Sequence, residues 1–222
     1  ESGKEDHFMT ALDHHLTLVA SALAERYDFL EGLMARGTAG PLSLLAVLRG
    51  EGPTVDITFA RGLVSISGTN EAVRVLLGAE LHETEEAREL GIRIVKRVAA
   101  KCDQESRKRN ILLTVIGERN PMVGRRFAEL DATAYPKTIQ TAQNDGIMEE
   151  MSYTDGVALR GDIDLSPFES LIIEGEMHKY MDGATMAQVR LPSLGITGQS
   201  LASFTKKVHT HTQVNGVCFG LH

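Results

Sequence analysis

Helix-like and strand-like patterns alternate along this chain, and this alternation constrains its fold more than any other feature of the sequence. Between Phe8 and Leu30, apolar residues recur at spacings of three and four, which predicts a long helix ending near Gly37 or Gly40. Short β-rich runs predict strands at Val64 to Ile66, Ile111 to Ile116, Tyr153 to Leu159, Ala184 to Leu191 and Val208 to Val214.

Helices are predicted between most of these strands. They run from the Gly68 turn to Gly78, from Glu83 through Cys102, and onward from Ser166-Pro167, while Met122 to Asp131 is either helical or irregular. Because strands that alternate with helices favour parallel pairing, the pattern predicts an α/β fold with mostly parallel strands. The chain has 222 residues, of which 42% are hydrophobic, so we treat residues 1–222 as a single region with one substantial core.

Charge and composition exclude several classes of partner. The formal net charge is −7 and the pI is near 5.6, so we expect no polymeric nucleic acid as a partner. The longest apolar runs, such as Pro41 to Leu48, fall short of the roughly 20 residues that span a bilayer, so we expect no membrane span and a cytoplasmic location. The chain opens at Glu1 without an initiating Met, so we expect a longer parent chain.

The two cysteines, Cys102 and Cys218, are far apart in the sequence, which favours reduced thiols over a disulfide. Cys102 lies on the apolar side of its predicted helix, together with Leu90, Ile94 and Val98. We therefore predict that Cys102 belongs to the core.

Two glycine-containing turns are candidate anion sites. They are Tyr153-Thr154-Asp155-Gly156 and the stretch from Lys179 to Thr185, which includes Gly183 and Ala184. Small residues let backbone N–H groups approach an anion, and the neighbouring hydroxyls add donors. A helix cap would explain Gly183 as well, so the pattern alone leaves both interpretations open.

A third candidate is Gly117-Glu118-Arg119-Asn120-Pro121, a polar cluster directly after the buried strand that ends at Ile116. Open sheets and barrels of the α/β class place their sites at this end of a strand. A salt-bridged loop is the alternative interpretation.

A fourth candidate is a metal site near the end of the chain. His209 and His211 would share one face of a strand over Val208 to Val214, with Cys218 and His222 nearby. Because no Asp or Glu in this stretch completes a ligand set, solvent-facing histidines are the simpler interpretation. A metal-dependent hydrolase is the corresponding, least favoured, hypothesis.

In their order and separation, several motifs resemble the catalytic barrel of the anaerobic, class III glycyl-radical ribonucleotide reductases. The similar stretches are Asp6-His7-Phe8 with the first helix, Gly62-Leu63-Val64 with Gly68-Thr69-Asn70-Glu71-Ala72, Arg126 to Asp131 with Tyr135-Pro136, Tyr153-Thr154-Asp155, and Lys179-Tyr180 with Gly183-Ala184-Thr185. The resemblance covers most of the chain.

The resemblance implies half of a ten-stranded α/β barrel and a reductase that converts ribonucleoside triphosphates to deoxyribonucleotides. It also implies a glycyl radical installed by an S-adenosylmethionine iron–sulfur activase, a loop cysteine that carries a thiyl radical, and a homodimer. The resemblance places the loop cysteine before Glu1 and the radical glycine beyond His222. No catalytic residue is then expected within this chain.

By the same resemblance, the substrate-binding residues are Tyr153, Thr154, Asp155, Gly156, Gly183, Ala184, Thr185, Glu118 and Asn120. Cys218 stands where the family begins a four-cysteine zinc module. No C-x-x-C follows it, so the resemblance supports zinc only weakly.

The sequence departs from the family at both glycine-containing turns. Asp155-Gly156 stands where the family has Asn-Ser, and Asp182-Gly183-Ala184 stands where it has Thr-Gly-Gly. An added carboxylate would repel a triphosphate unless it is paired. Two alternatives therefore stay open: a glycyl-radical relative with a different small substrate, and a non-catalytic barrel fragment whose open sheet edges need a partner.

Overall fold

The computed structural model describes residues 2–46, 48–49, 52–53, 55–117, 120–136, 152–161, 163–182, 185–191 and 195–221. The helices in these ranges are α1 (Ser2–Met34), α2 (Ser43–Ala46), α3 (Thr69–Leu77), α4 (Glu85–Arg109), α5 (Pro121–Ala134), α6 (Pro167–His178) and α7 (Gly198–His211), with short 3-10 turns at Gly37–Ala39 and Ile57–Phe59. The strands are β1 (Leu48–Arg49), β2 (Gly52–Pro53), β3 (Arg61–Ser65), β4 (Leu112–Ile116), β5 (Ala187–Leu191) and β6 (Val217–Leu221).

The two long helices, α1 and α4, pack side by side in the same direction. Polar contacts between them ascend together along both helices: Glu5 with Arg93, Asp13 with Arg97, Thr17 with Glu105, and Ser21 with Arg109. Beneath this ladder the apolar faces of the helices meet, and the buried side chains include Leu16, Ala20, Leu90 and Val98. The predicted first helix is confirmed.

Glu105 joins the polar ladder to the core. It is 2% exposed and pairs with Lys101 at 2.9 Å and with Arg109 at 3.0 Å, both on its own helix. The hydrogen bond from Lys101, together with the one from Arg109, lowers the pKa of the Glu105 carboxyl.

The main sheet pairs β3 with β4 in parallel, and helices α3 and α4 form the crossover between the two strands. The register sets Arg61 opposite Leu112 and Ser65 opposite Ile116, so both strands end at the same edge. Four of the five residues of β4 are buried, as the continuous apolar run predicted. The α/β prediction is confirmed for this part of the chain.

A second parallel pair, β5 with β6, packs against α6 and α7. Ala187 lies opposite Val217 and Leu191 opposite Leu221. The core of this unit consists of Leu171, Ala187, Val189 and Val208, with aromatic residues Phe168, Phe204 and Phe219 packed around it. The sequence pattern did not predict β6. It indicated that the Asn215-Gly216 turn ends a strand, whereas in the structure this turn precedes β6.

The strand predicted over Val208 to Val214 is wrong, because Gly198–His211 forms helix α7. Thr197 caps this helix by accepting a hydrogen bond from Ser200 N at 3.1 Å. Phe204 and Val208, four residues apart, bury one helical face in the second core, and this packing overrides the strand preference of the Thr and Val residues.

The strand predicted over Tyr153 to Leu159 is also wrong. The segment makes one isolated bridge, Ser67 with Asp155, and then turns at Gly156. Several of its backbone groups bond to the start of α3, to Gly124 of α5 and to the Glu174 side chain, and these groups are not available for a strand ladder. The strand predicted over Ala184 to Leu191 is confirmed from Ala187 onward, and Gly183 and Ala184 lie outside the described residues.

Within the described ranges, no helix combines the length and the apolar character needed to cross a membrane.

The two cysteines differ in burial, and this difference predicts different reactivity. Cys102 is 4% exposed within the core, and burial raises the pKa of its thiol to about 11, whereas Cys218 is half-buried on β6. Because the thiolate is the reactive form, we expect an alkylating reagent at pH 7.5 to modify Cys218 well before Cys102. Peptide mass spectrometry over a time course measures both sites. Equal modification rates would contradict the burial of Cys102.

Candidate functional site

The candidate turn Tyr153-Thr154-Asp155-Gly156 is hydrogen-bonded to residues at the start of α3. The backbone N–H and the hydroxyl of Thr154 donate to the two carboxylate oxygens of Glu71, at 2.9 and 2.8 Å. The Thr154 carbonyl accepts from Gly68 N at 2.8 Å and from the Ser67 hydroxyl at 3.0 Å. Every polar group of Thr154 therefore bonds to residues at the start of α3.

Gly156 forms the turn itself, and its position requires glycine. Its φ is +60°, in the left-handed region, and Asp155 O accepts from Ala158 N across the turn at 2.9 Å. A Cβ at this position would lie 3.2 Å from Gly117 Cα. The Gly156 carbonyl accepts from the Thr69 hydroxyl at 2.8 Å, which bonds the turn to α3 a second time.

Gly117, the residue after β4, brings the two glycine-containing turns together. Its N–H donates to the hydroxyl of Thr185 at 3.0 Å, and Thr185 is 2% exposed. A Cβ on Gly117 would lie 2.9 Å from Thr185 Cγ2. A very small cavity adjoins this contact, and Asp155, Glu174 and His178 line it together with Gly117 and Thr185.

Tyr153 joins the turn to α5. Its hydroxyl donates to Asp131 Oδ2 at 2.7 Å, and its N–H donates to Gly124 O at 3.4 Å. Burial raises the pKa of the Tyr153 phenol well above its ordinary value, and the bonded Asp131 carboxylate raises it further. The phenol therefore stays protonated and remains a donor. Its ring packs over Gly68, where a Cβ would lie 3.5 Å from the ring.

The far end of the segment is held by two more buried carboxylates. Leu159 N donates to Glu174 Oε1 at 3.2 Å, and the Arg160 guanidinium lies 3.3 Å from Glu80 Oε2. Glu174 is 5% exposed and Glu80 is 1% exposed. Glu80 also pairs with Arg74 of α3, so both ends of residues 153–160 are bonded to α3 or to the loop after it.

The loop after β4 places Asn120 at the start of α5. Asn120 caps this helix by accepting from Met122 N at 3.2 Å, and Pro121 follows as the first helical residue. Asn120 is exposed and lies three residues after Gly117. Glu118, by contrast, lies outside the described residues.

The sequence profile of the family described as anaerobic ribonucleoside-triphosphate reductase matches residues 1–221. The chain belongs to this family. The enzyme of that name from Salmonella typhimurium is 25% identical over 202 residues, which are 86% of this chain and 27% of that protein. The Escherichia coli enzyme is 25% identical over 201 residues, with the same coverage. The chain thus spans about a quarter of the length of these relatives.

Solved structures of the anaerobic ribonucleotide reductase from Thermotoga maritima share the fold. The structure of that enzyme in complex with dATP and CTP aligns over 98% of this chain and 33% of its own, with a TM-score of 0.77 and 12% identity. The structure with glycerol in the active site aligns over 99% of this chain, also with a TM-score of 0.77 and 12% identity. The resemblance inferred from motif order is therefore confirmed.

In this member of the reductase family, the structure brings together most of the described residues predicted for the site. Gly117 contacts both Gly156 and Thr185, and Thr154 and Tyr153 anchor the first turn. Sequence reasoning assigned no site role to Glu71, Asp131 or Gly124. An acidic residue in the first turn of a helix is ordinary, so the position of Glu71 gave no separate signal.

The predicted metal site near the chain end is not supported. His209 and His211 lie on α7, where residues two apart point in nearly opposite directions, so the shared face that a strand would provide does not form. Cys218 donates to Ala187 O at 3.5 Å within the sheet, and His222 lies outside the described residues. Among the described residues, no three His, Cys, Asp or Glu side chains are grouped to hold a metal ion.

The geometry of Gly156 predicts that a side chain there is harmful. In Gly156→Ala we expect a loss of about 1–2 kcal/mol in the free energy of unfolding, because the left-handed φ and the Gly117 contact both oppose a Cβ. Chemical denaturation measures this loss. Gly32→Ala in α1 is the matched control, since no atom lies within 4 Å of its Cβ position, and it should be neutral or stabilising. Equal effects of the two substitutions would contradict the left-handed conformation and the close Gly117 contact described for Gly156.

Burial of Glu71 predicts a specific pH dependence. Glu71 is 4% exposed, and burial raises the pKa of its carboxyl despite the hydrogen bonds from Thr154, which lower it. The folded state therefore binds this proton more tightly than the unfolded state. Ionisation of Glu71 then costs stability increasingly as the pH rises from about 4 toward 7. We expect Glu71→Gln to gain stability relative to the wild type over this window.

Glu105→Gln is the control with the opposite sign. The pKa of Glu105 is lowered in the folded state, so its carboxylate contributes stability that is present above the unfolded pKa and is lost as the pH falls. Relative to the wild type, Glu105→Gln should therefore be least stable near neutral pH. Urea unfolding from about pH 3 to 7 measures both variants. Parallel pH profiles for the two would contradict the different environments of these carboxyls.

Proposed function

We propose that this chain forms part of the catalytic barrel of an anaerobic ribonucleotide reductase, an oxidoreductase that converts ribonucleoside triphosphates to deoxyribonucleotides. One observation carries the proposal. In a chain of this family, Gly117 at the carboxyl end of β4 contacts both glycine-containing turns, through Gly156 and through Thr185. Sites of α/β sheets lie at this end of their strands. We further propose that the described strands belong to one half of a ten-stranded barrel.

In this proposal the chain binds and orients the substrate. The turn at Asp155-Gly156 and the residues from Gly183 to Thr185 face the ribose or the phosphates, and Glu118 and Asn120 line the mouth of the site. The start of α5, directly after Asn120, adds the partial positive charge of a helix N-terminus, which favours phosphate. The close contacts among Gly117, Gly156 and Thr185 leave little room for water behind the turns.

The radical chemistry of the proposed reaction comes from other parts of the reductase. A glycyl radical, installed by an S-adenosylmethionine iron–sulfur activase, supplies the oxidising equivalent through a loop cysteine. Cys102 does not fit that role, because it is buried in the core and burial raises the pKa of its thiol to about 11. We also propose a homodimer and a cytoplasmic location. For zinc at Cys218, the described residues offer no group of three or more His, Cys, Asp or Glu side chains that could hold the ion.

The hydrogen bonds of Thr154 and Thr185 indicate that these residues support the site indirectly. The Thr154 hydroxyl donates to Glu71, and the Thr185 hydroxyl accepts from Gly117 N, so each already bonds within the protein. Their contribution to substrate binding is then to fix the turns, while backbone N–H groups and neighbouring side chains contact the ligand.

Equilibrium binding of ribonucleoside triphosphates to the complete encoded polypeptide tests this assignment. We expect Thr154→Val and Thr185→Val each to weaken binding about tenfold, the loss of roughly one hydrogen bond that fixes a turn. Thr205→Val is the matched control, because Thr205 is exposed on α7 and its hydroxyl bonds within that helix, to Leu201 O. It should bind as the wild type does.

Unchanged nucleotide affinity in both site variants would overturn the assignment of the turns. A wild-type polypeptide that binds no ribonucleoside triphosphate would favour the alternative, a glycyl-radical relative with another small substrate. The carboxylates of Asp155 and Asp182 motivate that alternative.

A further inference from the structure

Glu71 is a buried carboxylate that the proposed function does not yet use. Both of its oxygens are occupied by Thr154, one by the backbone N–H at 2.9 Å and one by the hydroxyl at 2.8 Å. None of the ion pairs among the described residues includes Glu71, in contrast to Glu80 and Glu105, which are equally buried but paired with arginine. Among the described residues, its charge is therefore balanced by hydrogen-bond donors and by the start of α3.

An ionised carboxylate in this environment lowers the free energy of unfolding. Burial raises the pKa of Glu71, and the charge of Glu80 raises it further, so ionised Glu71 opposes folding near neutral pH. An uncharged side chain of similar size would fill the same space at lower cost. Ionisable groups with raised pKa values are concentrated at functional sites, which points to a role other than packing.

The bonds of Glu71 determine where the turn lies. Residues 153–160 are held at the far end by Glu174 and by the Arg160 pair with Glu80. At the near end Glu71 holds the N–H and the hydroxyl of Thr154, while Gly68, Ser67 and Asp131 hold the Thr154 carbonyl and the Tyr153 hydroxyl. The Asp155-Gly156 turn lies between these two anchors and one residue after Thr154. If both Glu71 bonds are lost, the N–H and the hydroxyl of Thr154 lose their partners, and the turn is held less firmly relative to Gly117 and Thr185.

We infer that Glu71 is a positioning residue of the nucleotide site, which fixes the Asp155-Gly156 turn for the substrate by holding Thr154 through both carboxylate oxygens. This inference rests on the proposed function. Glu71 acts through Thr154 and does not itself contact the nucleotide. Its removal therefore weakens substrate binding, while the chemical step, which the radical supplies, changes little.

Two substitutions separate positioning from charge. Glu71→Gln keeps the anchor, because its amide oxygen accepts from Thr154 N and its NH₂ group donates to the Thr154 hydroxyl oxygen. Glu71→Met has a similar volume and removes both acceptors. In the complete polypeptide we expect Glu71→Met to raise KM for a ribonucleoside triphosphate about tenfold or more with kcat within about threefold of the wild type. Glu71→Gln should restore KM to within about threefold.

A double-mutant cycle tests the route through Thr154. If Glu71 acts through this residue, Glu71→Met combined with Thr154→Val should be no worse in KM than Glu71→Met alone. Glu105→Gln is the control, because it alters a similarly buried carboxylate on α4 that bonds to Thr17, Lys101 and Arg109 and to no described residue of the two turns. Its KM should equal that of the wild type, whatever its effect on stability.

Three results would overturn the inference while leaving the proposed function intact. They are an unchanged KM in Glu71→Met, additive losses in the double variant, and equal losses in Glu71→Met and Glu71→Gln. If Glu71→Met does not fold, Glu71→Asp replaces it, since the shorter carboxylate cannot reach both Thr154 donors, and the same KM increase is expected. A wild-type polypeptide that neither binds nor reduces ribonucleoside triphosphates would instead refute the proposed function, and the inference with it.

Discussion

The pair of hydrogen bonds between Thr154 and the buried Glu71 carboxylate determines how the candidate site is assembled. The backbone of residues 153–160 forms no strand ladder, so its position depends on side chains and on the start of α3. Once Thr154 is fixed, the next two residues bring Gly156 against Gly117, and Gly117 in turn bonds to Thr185. The Glu71 carboxylate, together with Gly68 and Thr69 at the start of α3, therefore helps to set the geometry of three separate stretches of the chain. That carboxylate is buried without a positive partner among the described residues.

Close approach of backbones explains why glycines are found where these stretches meet. A Cβ on Gly156 would meet the backbone of Gly117, and a Cβ on Gly117 would meet the buried side chain of Thr185. Gly124 lets α5 approach the segment, since a Cβ there would overlap the carbonyl of Tyr153. These contacts are short-range and rigid, as in other packed interiors. Substitution at such positions displaces backbone, whereas substitution of an exposed glycine such as Gly32 does not.

The sequence predicted the elements whose own periodicity is strong: the long first helix, the buried strand β4, the helix that begins at Ser166-Pro167, and the core position of Cys102. The motif order also predicted the family. Prediction of secondary structure from the sequence failed where tertiary contacts outweigh the local preference of the residues. Thr and Val residues near Val208 favoured a strand, yet the burial of Phe204 and Val208 made a helix. Tyr153 to Leu159 was predicted as a strand from its local pattern. The side chains that bond its backbone, Glu71 and Glu174, are distant in sequence and gave no local signal. Glu71 looked like an ordinary first-turn acid, and only its burial against Thr154 distinguishes it.

The most direct test of this account is amide hydrogen exchange in the complete encoded polypeptide, measured on the peptides that contain Thr154 and Gly68. Both amides are bonded within the anchor, the first to Glu71 and the second to the Thr154 carbonyl, so we expect slow exchange in the wild type. In Glu71→Met, exchange of both should accelerate by at least about tenfold, while the buried amides of α4 stay protected. Equal exchange of the Thr154 peptide in the two proteins would show that Glu71 does not hold the turn, and would contradict the account.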